Sequence, residues 1–213
     1  KVAANGALKF ERGQWQGSNM NLALGDNKLI LNTRAPNKSL PNEQLALEWK
    51  LTAPALNQIA NSLQGALNST GVISGDVREP RLQINAQADQ LAWGNYAIEK
   101  LLLKLNPRAN LSKDYELQLD ATRAQMAGQP ITQLSLKGAG ALEKHSIDGQ
   151  LDSPTLGHLS LGLDSSWKDK IWRGQWRELS LSAKKLPRWY LAPESLRATM
   201  EADATHADVN KLC

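Results

Sequence analysis

The chain is short of the residues that build compact chemical sites. Its single cysteine, Cys213, is the last residue, which excludes an internal disulfide framework and any cysteine-based metal cluster. No long apolar run exists: the longest uninterrupted one is Trp189 to Ala192, against about 20 residues for a helix that spans a bilayer. The opening Lys1-Val2-Ala3-Ala4 leads at once to Asn5, Gly6 and Lys9, without the apolar stretch of a signal peptide. The three histidines, His145, His158 and His206, are far apart, and none has a partner at metal-ligand spacing. No GxSxG, HExxH, P-loop or GxGxxG arrangement is present, and Gly138-Ala139-Gly140 reads as a bend between strands. Charge of one sign is lacking too. With 25 Lys and Arg against 21 Asp and Glu, interleaved, the net +4 makes no stripe able to neutralise several phosphates, which argues against nucleic acid as a partner. Carboxylates such as Asp152 and Asp164 fall on alternating polar positions or turns, where acids are solvated. These absences point away from an enzyme and call for no cofactor or metal.

Leucine is what the chain has in excess, 35 residues against 8 Ile and 4 Val. By propensity that balance favours helices, because β-branched side chains lose rotamer freedom there and leucine does not. The spacing says otherwise. Leu82, Ile84, Ala86 and Ala88 alternate with Gln83, Asn85 and Gln87, and Tyr115, Leu117, Leu119 and Ala121 alternate with Glu116, Gln118 and Asp120. The same period of two runs through Leu134/Leu136, Ile147/Leu151 and Leu159/Leu161/Leu163, and again through Leu179/Leu181 and Leu196/Ala198/Met200. Alternate side chains of a strand point to opposite faces, so each segment has one apolar and one polar face.

Turn residues separate these runs: Gly25-Asp26-Asn27, Trp93-Gly94-Asn95-Tyr96, Gly128-Gln129-Pro130, Asp152-Ser153-Pro154 and Asp169-Lys170. Strands joined by short turns predict an antiparallel meander, a mainly β protein with one long sheet. One stretch departs from the pattern. Residues 54–64 carry apolar side chains at Leu56, Ile59, Ala60 and Leu63, with Pro54 at a first helical position and Gly65 as a stop, which predicts a short amphipathic helix of roughly three turns. Arg12-Gly13-Gln14-Trp15 recurs as Arg173-Gly174-Gln175-Trp176, a weak echo consistent with repeated hairpins. The sequons at Asn37, Asn68 and Asn110 are accounted for by the abundance of Asn and Ser.

Trp167, Trp172, Trp176 and Trp189 crowd the last quarter beside Arg173, Arg177, Lys184, Lys185 and Arg188. Indole suits sugar stacking or a membrane interface. The alternative, which we favour, has Trp172 and Trp176 sharing one strand face and filling space opposite small residues such as Gly174.

The succession of features then acquires a family character. Leu56, Ile59 and Leu63 precede Gly71-Val72-Ile73-Ser74-Gly75 and Pro80-Arg81-Leu82. A strand ending Asp89-Gln90-Leu91, a strand start Tyr96-Ala97-Ile98, the stretch around His145, Trp172-x-Gly174, Trp189-Tyr190-Leu191, Pro193, Leu196 and the Leu212/Cys213 end follow. This order resembles an interior segment of the TamB family, within the AsmA-like, repeating-β-groove group of bridge-like lipid transfer proteins. The resemblance implies a periplasmic segment, residues 1–213, of a longer inner-membrane-anchored protein. Its anchor would lie N-terminal to these residues, and a C-terminal region would meet a TamA-like outer-membrane barrel. It also implies that Cys213 could pair with a cysteine elsewhere in the full chain, since the periplasm is oxidising.

The expected architecture is therefore a curved meander whose apolar face forms an open hydrophobic groove, the β-taco. The residues expected to line it are Leu82, Ile84, Ala86, Ile98, Leu117, Leu119, Leu134, Leu136, Ile147, Leu151, Leu159, Leu161, Leu163, Trp172, Trp176, Leu179, Leu181 and Leu196. Phospholipid acyl chains are the expected occupant, carried between the inner and outer membranes in support of outer-membrane biogenesis. Two other classes stay open: a scaffold for insertion or secretion of outer-membrane proteins and autotransporters through open sheet edges, and a carbohydrate-binding β-domain built on the tryptophans.

Overall fold

A computed structural model describes residues 2–11, 14–17, 19–33, 45–76, 79–107, 114–141, 143–168, 171–183, 187–190, 199–202 and 207–210. Leu196, His206 and Cys213 lie outside the described residues, as do Arg12, Asn37, Asn110 and the Asp169-Lys170 turn.

The chain is a ladder of strands. The first is β1 (Val2–Asn5), followed by β2 (Leu8–Glu11), β3 (Gln14–Gly17), β4 (Met20–Leu24), β5 (Asn27–Thr33) and β6 (Leu45–Ala53). Longer strands follow: β7 (Leu63–Asp76), β8 (Glu79–Trp93), β9 (Tyr96–Pro107), β10 (Tyr115–Met126) and β11 (Gln129–Ala141). The series continues through β12 (Lys144–Ser153), β13 (Gly157–Lys168) and β14 (Ile171–Ser182), and ends in the short β15 (Trp189–Tyr190), β16 (Thr199–Ala202) and β17 (Ala207–Asn210). From β4 to β14 each strand pairs antiparallel with the next in the chain, within one 15-stranded sheet that stays open, with β1 and β17 at its two ends. The predicted meander is the observed fold. Neighbouring strands twist by about 20°, so a sheet this wide curls rather than lying flat.

Two-residue turns set the hairpin register. Leu24 faces Asn27 across Gly25-Asp26, and Trp93 faces Tyr96 across Gly94-Asn95. Gly25 and Gly94 have φ of 60° and 58°, the left-handed conformation such hairpins require. The turn expected at Gly128-Gln129-Pro130 sits one residue earlier, at Ala127-Gly128, because Met126 pairs with Gln129. Gly138-Ala139-Gly140 is no bend; it lies inside β11, paired on both sides.

The helix expected over 54–64 is a second departure. Only Leu56–Gln58 is helical, a single 3-10 turn, and Leu63 already begins β7. Pairing with β6 and β8 supplies a long ladder of hydrogen bonds, which outweighs what a short isolated helix can offer. Of the presumed apolar stripe only Leu56 is buried, and Ile59 is 51% exposed. The entry to this turn is pinned instead by Asn27, whose Nδ2 donates to the Ala55 carbonyl at 2.8 Å while its Oδ1 accepts from the Ala55 N–H at 3.1 Å.

The described halves of the four-residue echo lie in different sheets. Gln14 and Trp15 belong to β3, which pairs with β2 in a separate two-stranded sheet, whereas Gln175 and Trp176 belong to the main sheet.

Candidate functional site

Pairing register joins the alternating apolar positions into rows that run across the strands. In one row Leu22, Leu29 and Leu51 lead to Ser69, Ala86 and Leu103, then to Leu119, Leu136, Gly149, Leu161 and Leu179. Beside it Met20, Leu31 and Trp49 lead to Gly71, Ile84 and Leu105, then to Leu117, Gly138, Ile147, Leu163 and Trp176. On its other side Ala53, Leu67, Ala88 and Leu101 lead to Ala121, Leu134, Leu151, Leu159 and Leu181. None of these positions carries a charge. With strands ~4.8 Å apart, β4 to β14 make an apolar strip about 48 Å long.

Leu82 joins the strip beside Ile73, and Trp172 lies on it next to Gly174. Ile98 reaches it by a different route. The alternation Leu117, Leu119, Ala121 would next place Arg123 inward, but Arg123 adopts φ 47° and is exposed, and Ala124 is buried instead. Gln90 on β8 does the same with φ 55°. These left-handed residues shift the phase of both strands, so Leu91, Ile98, Ala124 and Ile131 form a further apolar row. Leu29, Leu51, Trp49, Leu67 and Leu101 also belong to the strip and were absent from the expected lining. The alternation Leu45, Leu47, Trp49, Leu51 marks them, whereas the run Leu101-Leu102-Leu103 hides its own phase.

The apolar face is lined by protein and covered by little of it. Among the described residues no large side chain is fully buried, and the buried apolar set is Ala53, Leu56, Ala88, Ala121, Ala124, Ile131 and Leu163. Most leucines of the rows are half-buried. Leu102, on the opposite face, is exposed although its neighbours Leu101 and Leu103 are not. A two-layer core would have sealed these side chains.

Polar chemistry sits on the other face. Arg177 bridges Asp148 at 2.6 Å and Asp164 at 2.9 Å, and His158 Nδ1 meets Asp152 at 2.7 Å. Arg123 pairs with Glu99, and the hydrogen bond from Arg123 holds the Glu99 carboxyl below the ordinary glutamate range while raising the guanidinium above its own. Asp152 and Asp164 thus each meet a separate basic side chain, His158 and Arg177. Among the described residues no group of three or more His, Cys, Asp or Glu could hold a metal.

His145 lies half-buried on the apolar face, where Trp172 Nε1 donates to its Nε2 at 3.3 Å. The tryptophans form no single platform. Trp167 and Trp172 pair at one end of β13 and β14, Trp176 is half-buried in the strip, and Trp189 stands beside Leu181 at the other end.

Residues 1–213 match the family model described as "TamB, N-terminal domain" over their whole length. The chain belongs to the TamB family. Neither a curated protein nor a solved structure matches it. In this TamB-family sheet no helix among the described residues is long and apolar enough to cross a membrane. Among the described residues the strip is an apolar wall with few polar groups, among them the Trp49 indole, which donates to Ser69 at 3.2 Å.

Proposed function

We propose that the apolar strip is a groove that holds phospholipid acyl chains and lets them move along the sheet, as one section of a periplasmic conduit between the inner and outer membranes. The observation that carries this reading is the register: rows of uncharged, mostly apolar residues run from β4 to β14, and among the described residues most of their leucines are only half-buried. Membership of the TamB family points to the cell envelope. The partners that go with the reading are an inner-membrane anchor and a TamA-like barrel, both supplied by other parts of a longer chain or by other proteins. The role is binding and transport in support of outer-membrane biogenesis, not catalysis.

The energetics suit transport. Each methylene taken out of water contributes about 0.8 kcal/mol, so a chain of roughly 16 carbons gains on the order of 10 kcal/mol, comparable with leaving a bilayer. Because leucine repeats at every strand, burial is similar at each step and no position becomes a deep trap. The headgroup stays in water at the open mouth.

A charge on the wall interrupts that continuity. Leu119→Arg and Leu161→Arg each place a cation in the central row. Lipid extracted from the purified protein is expected to fall several-fold, with strand content in circular dichroism unchanged. Unaltered lipid recovery from both folded variants, or no lipid in the parent protein, would overturn the reading. A second reading has its own observation: β1 is an end strand whose residues are all exposed, a template for strand addition in a scaffold for outer-membrane proteins. Photocrosslinks from groove positions to polypeptide rather than lipid would favour it.

A further inference from the structure

Single exposed apolar residues on a surface need no explanation, but here they are not scattered. Strands of a meander turn alternately at two edges, and the edge holding the Gly25-Asp26 turn collects the exposed apolar side chains. Ile59 lies in the connection from β6 to β7, Trp93 and Tyr96 flank the β8–β9 turn, and Leu156 caps β12–β13. Trp189 and Tyr190 pair with Leu181 and Ser180 near the same edge. Trp93 is 63% exposed, Tyr96 52% and Tyr190 65%. Of the other exposed large apolar residues described, Val2 opposes Leu24 at this edge, whereas Leu102 lies mid-strand and Trp167 near the opposite edge.

Charge divides the edges along much of their length. The connections 54–62, 94–95, 127–128 and 154–156 contain no Asp, Glu, Lys or Arg. At the opposite edge every connection from β5 to β14 has at least one in its sequence, among them Arg34, Arg78, Arg108, Glu143 and Lys170. The meander thus has one edge whose connections all carry charge, and one whose four connections from β6 to β13 carry none and are tipped with Trp, Tyr, Ile and Leu. Charge returns on that second edge at Asp26, which accepts from Gln58 Nε2 at 2.9 Å, and in the sequence after β14 at Lys184, Lys185 and Arg188.

We propose that the uncharged stretch of this edge docks on the interfacial layer of a lipid bilayer, through the tips that join β6 to β7 and β8 to β9 and extended by those that join β10 to β11 and β12 to β13. Indole and phenol rings combine an apolar body with a polar edge and settle at the headgroup boundary. The tips are narrow, one or two apolar side chains each, and with alternate turns on this edge they stand about 10 Å apart. Between them lie Asn57, Asn61, Ser62 and Asn95. A fluid interface accepts separate tips one by one, whereas a protein partner needs a contiguous apolar centre. The missing charge in the connections from β6 to β13 fits the same occupant, since none of them has an ion of its own to desolvate, and Asp26 beside Gln58 stands at the end of that stretch. Docking does not depend on what the groove carries.

The test is flotation of the purified protein with phosphatidylcholine vesicles and with phosphatidylethanolamine/phosphatidylglycerol vesicles, at low and high salt. Binding is expected to both, with little salt dependence. The double variant Trp93→Ser/Tyr96→Ser, altered only at exposed positions, is expected to partition about tenfold less, whereas Leu102→Ser leaves partitioning unchanged. Leu119→Arg is expected to float like the parent, which separates this contact from the groove. Absence of flotation overturns the proposal, as does binding that requires phosphatidylglycerol and vanishes in salt, because the charged edge would then hold the membrane. A concentration-dependent dimer lost in the double variant, without flotation, assigns the edge to a second copy of the chain and overturns it equally.

Discussion

Trp49 lies across Gly71 on the neighbouring strand, where a β-carbon would collide with the indole and with the Gln83 carbonyl. Trp172 covers Gly174 in the same way, and at Gly149 a β-carbon would stand 3.1 Å from the Leu161 side chain. Glycine in these rows is therefore the small partner of a large neighbour, and together the two keep the wall level. Gly71→Val should force Trp49 off the sheet and cost about 1–3 kcal/mol, in the range of other overpacked sites. The urea midpoint measures the cost, and the near-ultraviolet signal of the indoles reports the displacement. An unchanged midpoint would mean that the ring does not rest there. Glu99 and Arg123 illustrate the opposite case, an exposed pair on the polar face. Because the Glu99 carboxyl titrates below its ordinary range, whatever stability the pair supplies is present at neutral pH. It fades as pH falls through the folded-state value. The stability difference between the parent and Glu99→Gln should be small at pH 7 and approach zero in acid. A difference that grows in acid would contradict the assignment.

At the scale of elements the meander was legible from the sequence, because alternation of apolar and polar residues is a property of each strand alone. Leu82 to Ala88 and Tyr115 to Ala121 announce β8 and β10 without reference to anything else. What misled was local as well. Residues 54–64 have helical spacing, yet most of the segment's apolar side chains find no surface to bury against as a helix, and the pairings of β7 claim Leu63. The phase shifts at Gln90 and Arg123 were invisible for another reason. Arg123 stands at an inward position by counting, and only its left-handed backbone, possible beside the paired Glu99, turns it outward and brings Ala124 in.

Among the described residues the sheet has no centre. Each strand from β5 to β13 pairs within it with its two chain neighbours alone, so stability is largely a sum of neighbour terms, as in repeat proteins. Hydrogen exchange should therefore be graded. Amides of β8 to β11 are expected to be protected by about 2 kcal/mol or more beyond those of β1 and β17, with unfolding that runs inward from the ends. Uniform protection from β4 to β14 with a single cooperative transition would show that a common core exists after all.

Membership of the TamB family, the β class and the apolar face were all written in the linear order of residues, since a period of two and a succession of turns survive without coordinates. Three things needed the third dimension. Register decided which leucine follows which across the strands, and so joined Leu22 on β4 to Leu179 on β14 in one row. Packing decided that among the described residues most leucines of this row are half-buried rather than sealed in a core. Topology sorted the connections by edge, collecting Trp93, Tyr96, Leu156 and Trp189 on one side and the charged turns on the other. A strand's own sequence specifies its two faces; pairing between strands alone specifies what those faces and ends become when laid side by side.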